Sequence, residues 1–65
     1  MADFTVRQKE IIGVSIELIS KGGIQELTIK HISKEMGISE PAIYRHFESK
    51  LDILLAILTY FEDLT

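Results

Sequence analysis

The sequence predicts an all-α fold, a small helical bundle of three helices followed by the start of a fourth. Three observations carry that prediction. Apolar residues recur at three- and four-residue steps along most of the chain, the period of helices with one buried face. Gly22, Gly23, Gly37 and Pro41 interrupt the pattern where helices stop or start. At 65 residues the chain is one small domain at most, able to bury only about 60% of its unfolded surface.

From about Val6 to Lys21, Ile11, Val14 and Leu18 together with Ile12, Ile16 and Ile19 form the broad apolar face of a first helix. Thr5 is its N-cap, and Gly22 and Gly23 end it with the left-handed backbone that helix C-termini favour. Gly13 lies inside this helix at a cost of about 1 kcal/mol relative to alanine, so either a neighbouring helix approaches closely there, the reading favoured, or the position is merely tolerated. A second helix of about two turns opens at Thr28, with Ile29, Ile32, Ser33 and Met36 on its core face. Gly37 stops it and Ile38 enters the core from the turn. Ser39 caps a third helix with Glu40 and Pro41 in its first turn, where proline's missing N–H costs nothing. Ile43 and Phe47 face inward, which turns Pro41, Ala42, Tyr44 and Arg45 outward or to the flanks.

A fourth helix runs from Ser49, with Asp52 completing a capping-box pattern. It carries two apolar stripes, one of Leu51, Leu54, Leu55 and Leu58, the other of Ile53, Ile57, Tyr60, Phe61 and Leu64. Only Asp52, Ala56, Thr59 and Asp63 form a polar edge. Such a helix is more apolar than three short partners can cover, so it is expected to meet a further surface, either another domain or a second copy. The division expected is residues 1–47 as the three-helix domain, with a helix-turn-helix over about 28–47, and 48–65 as the fourth helix.

Composition narrows the function classes. The absence of cysteine removes disulfides, thiolate catalysis and thiolate metal sites, and makes a reducing, cytoplasmic setting the default. The longest nearly uncharged run, Ile53 to Phe61, falls far short of the about 20 residues that span a bilayer, and no signal-peptide pattern opens the chain, so a soluble protein with no membrane partner is expected. His31 and His46 are the only histidines, which makes a metal site improbable; no cofactor is expected. Serine, histidine and aspartate are present without a strand-borne nucleophile elbow to orient them, so no enzyme is predicted.

The formal charge of −3 opposes binding to polyanions, but it is unevenly placed. Residues 1–27 hold three Lys/Arg against four Asp/Glu, 28–50 hold four against three, and 51–65 hold none against three. The middle segment, with both histidines, is the part that faces a phosphate backbone without net repulsion.

Two short helices joined by a glycine turn with a core residue in it form the pattern of a helix-turn-helix, whose second helix enters the DNA major groove by its N-terminal end. An ordinary helical hairpin shares that layout. The outward side chains distinguish them. Thr28 and Tyr44 can donate hydroxyls to phosphate, Lys50 places an ammonium just after the third helix, and the capped starts at Thr28, Ser39 and Ser49 present amides. Arg45 can fork onto a guanine edge or grip a phosphate, and Pro41 and Ala42 suit a thymine methyl. His46 can contact phosphate or serve as a half-buried structural residue. Glu40 opposes the phosphates unless it accepts from cytosine, and its simpler role is to stabilise its own helix start. Each of the others also has a plain role as cap, core aromatic or solvated charge.

The stretch LTIKHISKEMGISEPAIYRHFESKLDIL resembles the homeodomain-like helix-turn-helix of TetR-type bacterial transcriptional repressors. The family pattern is met at Thr28, Ile32, Gly37, Ile38, Ser39, Tyr44, His46, Phe47 and Lys50, and the first helix and Gly23 fit it as well. Ser33 stands where a small apolar residue is usual, and Glu40 where a neutral or basic one is common. The resemblance implies that Tyr44, His46 and Lys50 contact the operator backbone, that Glu40, Pro41, Ala42 and Arg45 read bases or neighbouring phosphates, and that Thr28 anchors the second helix. It further implies a homodimer on palindromic double-stranded DNA and a C-terminal domain, absent from these 65 residues, that binds a small-molecule inducer. The fourth helix would then join the two domains, with its second apolar stripe on the missing part. The alternative is a helical protein–protein interaction module that uses the fourth helix and does not bind DNA.

Overall fold

The structure, a computed structural model, describes residues 3–64, with side chains described for residues 3–62. It consists of α1 (Val6–Gly22), a 3-10 turn (Ile24–Glu26), α2 (Ile29–Met36), α3 (Glu40–Tyr44) and α4 (Lys50–Leu64), with no strand among the described residues. The all-α bundle is therefore as the sequence predicts. None of its described helices is long and apolar enough to cross a membrane.

Local chemistry sets each boundary. Thr5 is extended, and its Oγ1 accepts the Gln8 N–H at 3.1 Å while Gln8 Oε1 accepts the Thr5 N–H at 2.9 Å. That reciprocal capping box satisfies two amides at the start of α1. At the other end Gly23 has φ 90 and ψ 176, a positive φ with extended ψ rather than the left-handed helical conformation expected there. Its N–H still closes α1 on the Ile19 carbonyl at 2.8 Å. Thr28 caps α2 through Oγ1, which accepts the His31 N–H at 3.0 Å.

The turn after α2 is a Schellman motif. Gly37 adopts φ 69 and ψ 30, its N–H bonds the Lys34 carbonyl at 3.3 Å, and the Ile38 N–H bonds the Ser33 carbonyl at 3.1 Å. Ile38 then packs half-buried against the core, as the plug role requires. Ser33, on the buried face, keeps its hydroxyl satisfied by donating to the Lys30 carbonyl at 2.8 Å.

α1 lies against the 3-10 turn, α2 and α4, and α2 carries α3. Ile11 and Ile12 of α1, Leu27, Ile29 and Ile32 at α2, Ile43 and Phe47 at α3, and Ile53, Ala56 and Ile57 of α4 form one core. Seven of these ten are isoleucine, whose branched side chain is held to one strongly preferred χ1 rotamer in a helix. Leu27 and Ser15 are fully buried without having been marked by periodicity; Ser15 Oγ donates to the Ile11 carbonyl at 2.7 Å.

Three expectations are corrected. Gly13 is exposed, and a Cβ there would meet nothing within 4 Å, so no helix packs closely on it. Ala56 belongs to the core rather than to a polar edge, because it lies one turn from Ile53 and beside Ile57 on the side that meets α1. The stripe of Ile53 and Ile57 is the buried one, whereas Leu51, Leu55 and Leu58 stand 63%, 52% and 62% exposed, with Leu54 half-buried between them. The face of α4 left for another surface is therefore the leucine stripe, continued by the 48%-exposed Phe61. The side chains of Asp63 and Leu64, assigned above to the polar edge and the second stripe, lie outside the described residues.

Candidate nucleic-acid interface

α3 is five residues long, about 7.5 Å by its helical rise, with a sharp division of faces. Ile43 is fully buried and Phe47 nearly so, and Pro41, Tyr44, Arg45 and Glu48 are exposed on the opposite side. Pro41, Tyr44 and Arg45 are spaced i, i+3 and i+4, one stripe of a helical curl. The curl outlasts the helix itself, since the Arg45 N–H bonds the Pro41 carbonyl at 3.2 Å and the Phe47 N–H bonds the Ile43 carbonyl at 3.0 Å. Ala42 and His46 are half-buried at its flanks.

The start of α3 is more satisfied than a bare helix terminus. Ser39 Oγ accepts the Ala42 N–H at 3.3 Å, and Pro41 has no N–H, so the Glu40 amide is the one first-turn donor left over. Glu40 sits exposed in that first turn, where its carboxylate complements the helix dipole. The hydroxyls of Thr28, Ser39 and Ser49 each accept an amide proton, at 3.0, 3.3 and 3.4 Å, and each keeps its own proton to donate.

Tyr44, the last residue of α3, is 49% exposed, and Arg45 and Lys50 are exposed with neither held in an ion pair among the described residues. These three supply a phenol, a guanidinium and an ammonium within the segment from the end of α3 to the start of α4. Thr28 stands at the far end of α2, about 13.5 Å along the helix axis from Gly37. Of the residues singled out by sequence, Ser39, Glu40, Pro41, Ala42, Tyr44, Arg45, His46 and Lys50 share the α3 to α4 segment, and Thr28 marks the other end of the two-helix unit.

Two residues here escaped the sequence reading. Glu48 is exposed between Arg45 and Lys50 in the chain and adds a carboxylate eight residues on from Glu40's. Gln8 Nε2 donates to the His46 carbonyl at 3.1 Å across 38 residues of chain. Its Thr-x-x-Gln spacing with Thr5 marks a capping box, but nothing in the sequence marks the distant carbonyl. His46, Phe47 and Glu48 also line an open cleft with Phe4, Asp52 and Leu55. No group of three or more histidine, cysteine or acidic residues is placed to hold a metal among the described residues.

The sequence model of bacterial regulatory proteins of the tetR family matches residues 11–57. The chain belongs to the TetR family. It is similar to the HTH-type transcriptional regulator YerO of Bacillus subtilis, 42% identical over 55 residues, covering 85% of this chain and 19% of that protein. It is also similar to the nucleoid occlusion factor SlmA of Glaesserella parasuis, 39% identical over 57 residues, covering 86% of this chain and 28% of SlmA. A third relative, the HTH-type transcriptional regulator YuxN of Bacillus subtilis, is 36% identical over 59 residues, covering 91% of this chain and 20% of YuxN. The chain thus spans well under a third of the length of these relatives. No solved structure matches it at a significant level. The family match covers α2 and α3 and ends within α4.

Proposed function

We propose that this TetR domain binds duplex DNA in a sequence-specific manner by setting α3 into the major groove. The exposed stripe of Pro41, Tyr44 and Arg45, turned outward or to the flank while Ile43 and Phe47 are buried, carries this reading. Tyr44, His46, Lys50, Thr28 and Ser39 grip the phosphate backbone on either side of the groove. Arg45 supplies the one fork able to read a guanine, Pro41 and Ala42 contact a thymine methyl, and Glu40 either accepts from a cytosine or stays on its own helix start.

The size of α3 argues for two copies. A helix of about 7.5 Å reaches only a few base pairs, and one bidentate contact discriminates by about 1–3 kcal/mol. Two linked copies on a palindromic operator double the contacts and convert the second binding event into an intramolecular one. We therefore assign residues 1–47 to the reading unit and 48–65 to a helix that leads to a C-terminal ligand-binding and dimerisation domain, with repression relieved by a small-molecule inducer. The exposed leucine stripe of α4 is the surface that this domain would cover. The regulator is not an enzyme on this reading.

Binding to a duplex enriched from a random library, followed by anisotropy across a salt series, tests the reading. Affinity should fall with salt, and Lys50→Ala should lower the slope of log K against log salt by about 0.9. A Lys50→Ala slope equal to that of the parent chain, or binding indifferent to salt, would refute it.

A further inference from the structure

Gln8 ties the start of α1 to the end of the reading helix. Its amide oxygen accepts the Thr5 N–H at 2.9 Å and its amide nitrogen donates to the His46 carbonyl at 3.1 Å. One orientation of the amide serves both, because a backbone N–H requires an acceptor and a carbonyl requires a donor. The His46 carbonyl lies just beyond α3, where carbonyls have no intrahelical partner, so Gln8 fills a bond that the helix itself cannot.

The position matters because α3 is short. Five residues cannot hold a helix or its direction unaided. The segment is anchored by the Gly37 turn, by Ile43 and Phe47 in the core, and by the Gln8 bond, which falls between Tyr44 and Lys50. Phe4 packs half-buried against the core in the same neighbourhood, lining a cleft with His46 and Phe47. The family match begins at Ile11, so Gln8 lies outside it.

We propose that Gln8 is a positioning residue for DNA binding, holding the His46 carbonyl so that the Tyr44 to Lys50 segment is ordered before it meets the duplex. The inference rests on the reading of Tyr44, His46 and Lys50 as DNA contacts. Ordering the segment on folding removes that entropic cost from the binding step. Gln8 does not touch DNA; it acts through the backbone at His46.

The capping and bridging roles can be separated. Gln8→Glu keeps an oxygen for the Thr5 N–H, and glutamate is a favoured capping-box residue at this position, but a carboxylate cannot donate to the His46 carbonyl. Gln8→Met removes the donor without adding charge, and with it the acceptor for the Thr5 N–H. Thr5→Ala removes the Oγ1 cap and leaves the Gln8 to His46 bond in place.

Anisotropy with a duplex enriched by the parent chain, run beside thermal unfolding, reads all of these. Both Gln8 variants should bind about fivefold more weakly, the worth of one net hydrogen bond, and Gln8→Glu should unfold below the parent midpoint but no earlier than Gln8→Met, which also loses the acceptor for the Thr5 N–H. Thr5→Ala should unfold earlier and, where folded, bind as the parent does. Parent-like affinity in Gln8→Met overturns the proposal, and so does a loss in Thr5→Ala equal to that in the Gln8 variants. Tyr44→Ala controls the underlying reading. Parent-like binding by that variant, or no salt-dependent binding by the parent, overturns the reading and this proposal together. Weakened Tyr44→Ala beside unchanged Gln8 variants overturns the proposal alone.

Discussion

Replacing Gly37 by alanine isolates the cost of one backbone conformation. Gly37 sits at φ 69 and ψ 30, and a Cβ there would meet nothing within 4 Å, so no steric contact adds to the effect. Left-handed helical backbone costs an ordinary L-residue about 1–2 kcal/mol. Alanine also narrows the unfolded ensemble, which offsets about 0.4–1 kcal/mol. The net expectation is a loss of about 1 kcal/mol, or about 4–8 °C in Tm for a domain of this size. Asparagine tolerates the same region better, so Gly37→Asn should lose less than half as much as Gly37→Ala. Urea and thermal unfolding followed by far-ultraviolet circular dichroism measure both. If Gly37→Ala equals or exceeds the parent in stability, or Asn and Ala cost the same, the Schellman turn is not what holds α2 to α3.

The same substitution at Gly13 should act in the opposite direction, raising stability by about 0.5–1 kcal/mol, since that position is helical, exposed and open to a Cβ; a loss on denaturant unfolding would mean that a neighbour does pack there. On α4, Ile53→Val should cost about 1 kcal/mol although it removes only one methylene, whereas Leu55→Ala should fall within about 0.5 kcal/mol of zero, because Ile53 is fully buried and Leu55 is 52% exposed. Reversed values in urea unfolding would exchange the two faces of the helix. Arg45→Ala should flatten base preference at one position of the selected duplex by about 1–3 kcal/mol, read by competition among single-base variants; an equal loss on every sequence would make Arg45 a phosphate contact.

Most of the fold was legible wherever the deciding interaction is local. Thr28 and Ser39 are caps because their hydroxyls reach an amide three residues on, and the Gly37–Ile38 turn closes on Ser33 and Lys34 in the same helix. The outward set on α3 followed from the phase of Ile43 and Phe47 alone. Failures came where a distant partner decides. Both stripes of α4 are equally apolar, and only the contact with α1 determines that Ile53 and Ile57 go inward and the leucines stay out. Ala56 carries too little side chain to declare a face, so its place follows that of its neighbours. Leu27 belongs to no periodic run, because it lies between the 3-10 turn and α2. Gln8 shows the limit most plainly, since half of its bonding is with Thr5 in its own turn and the other half is with a carbonyl 38 residues away.

The interface itself is tested most directly by titrating the isotope-labelled chain with the enriched duplex and following backbone amide signals. The shifts should concentrate at Thr28 and across Ser39 to Lys50, weaken with added salt, and leave Gly13, Leu55 and Leu58 unmoved. Shifts confined to the leucine stripe of α4, or spread along α1 with none in α3, would contradict the assignment of α3 as the surface that meets DNA.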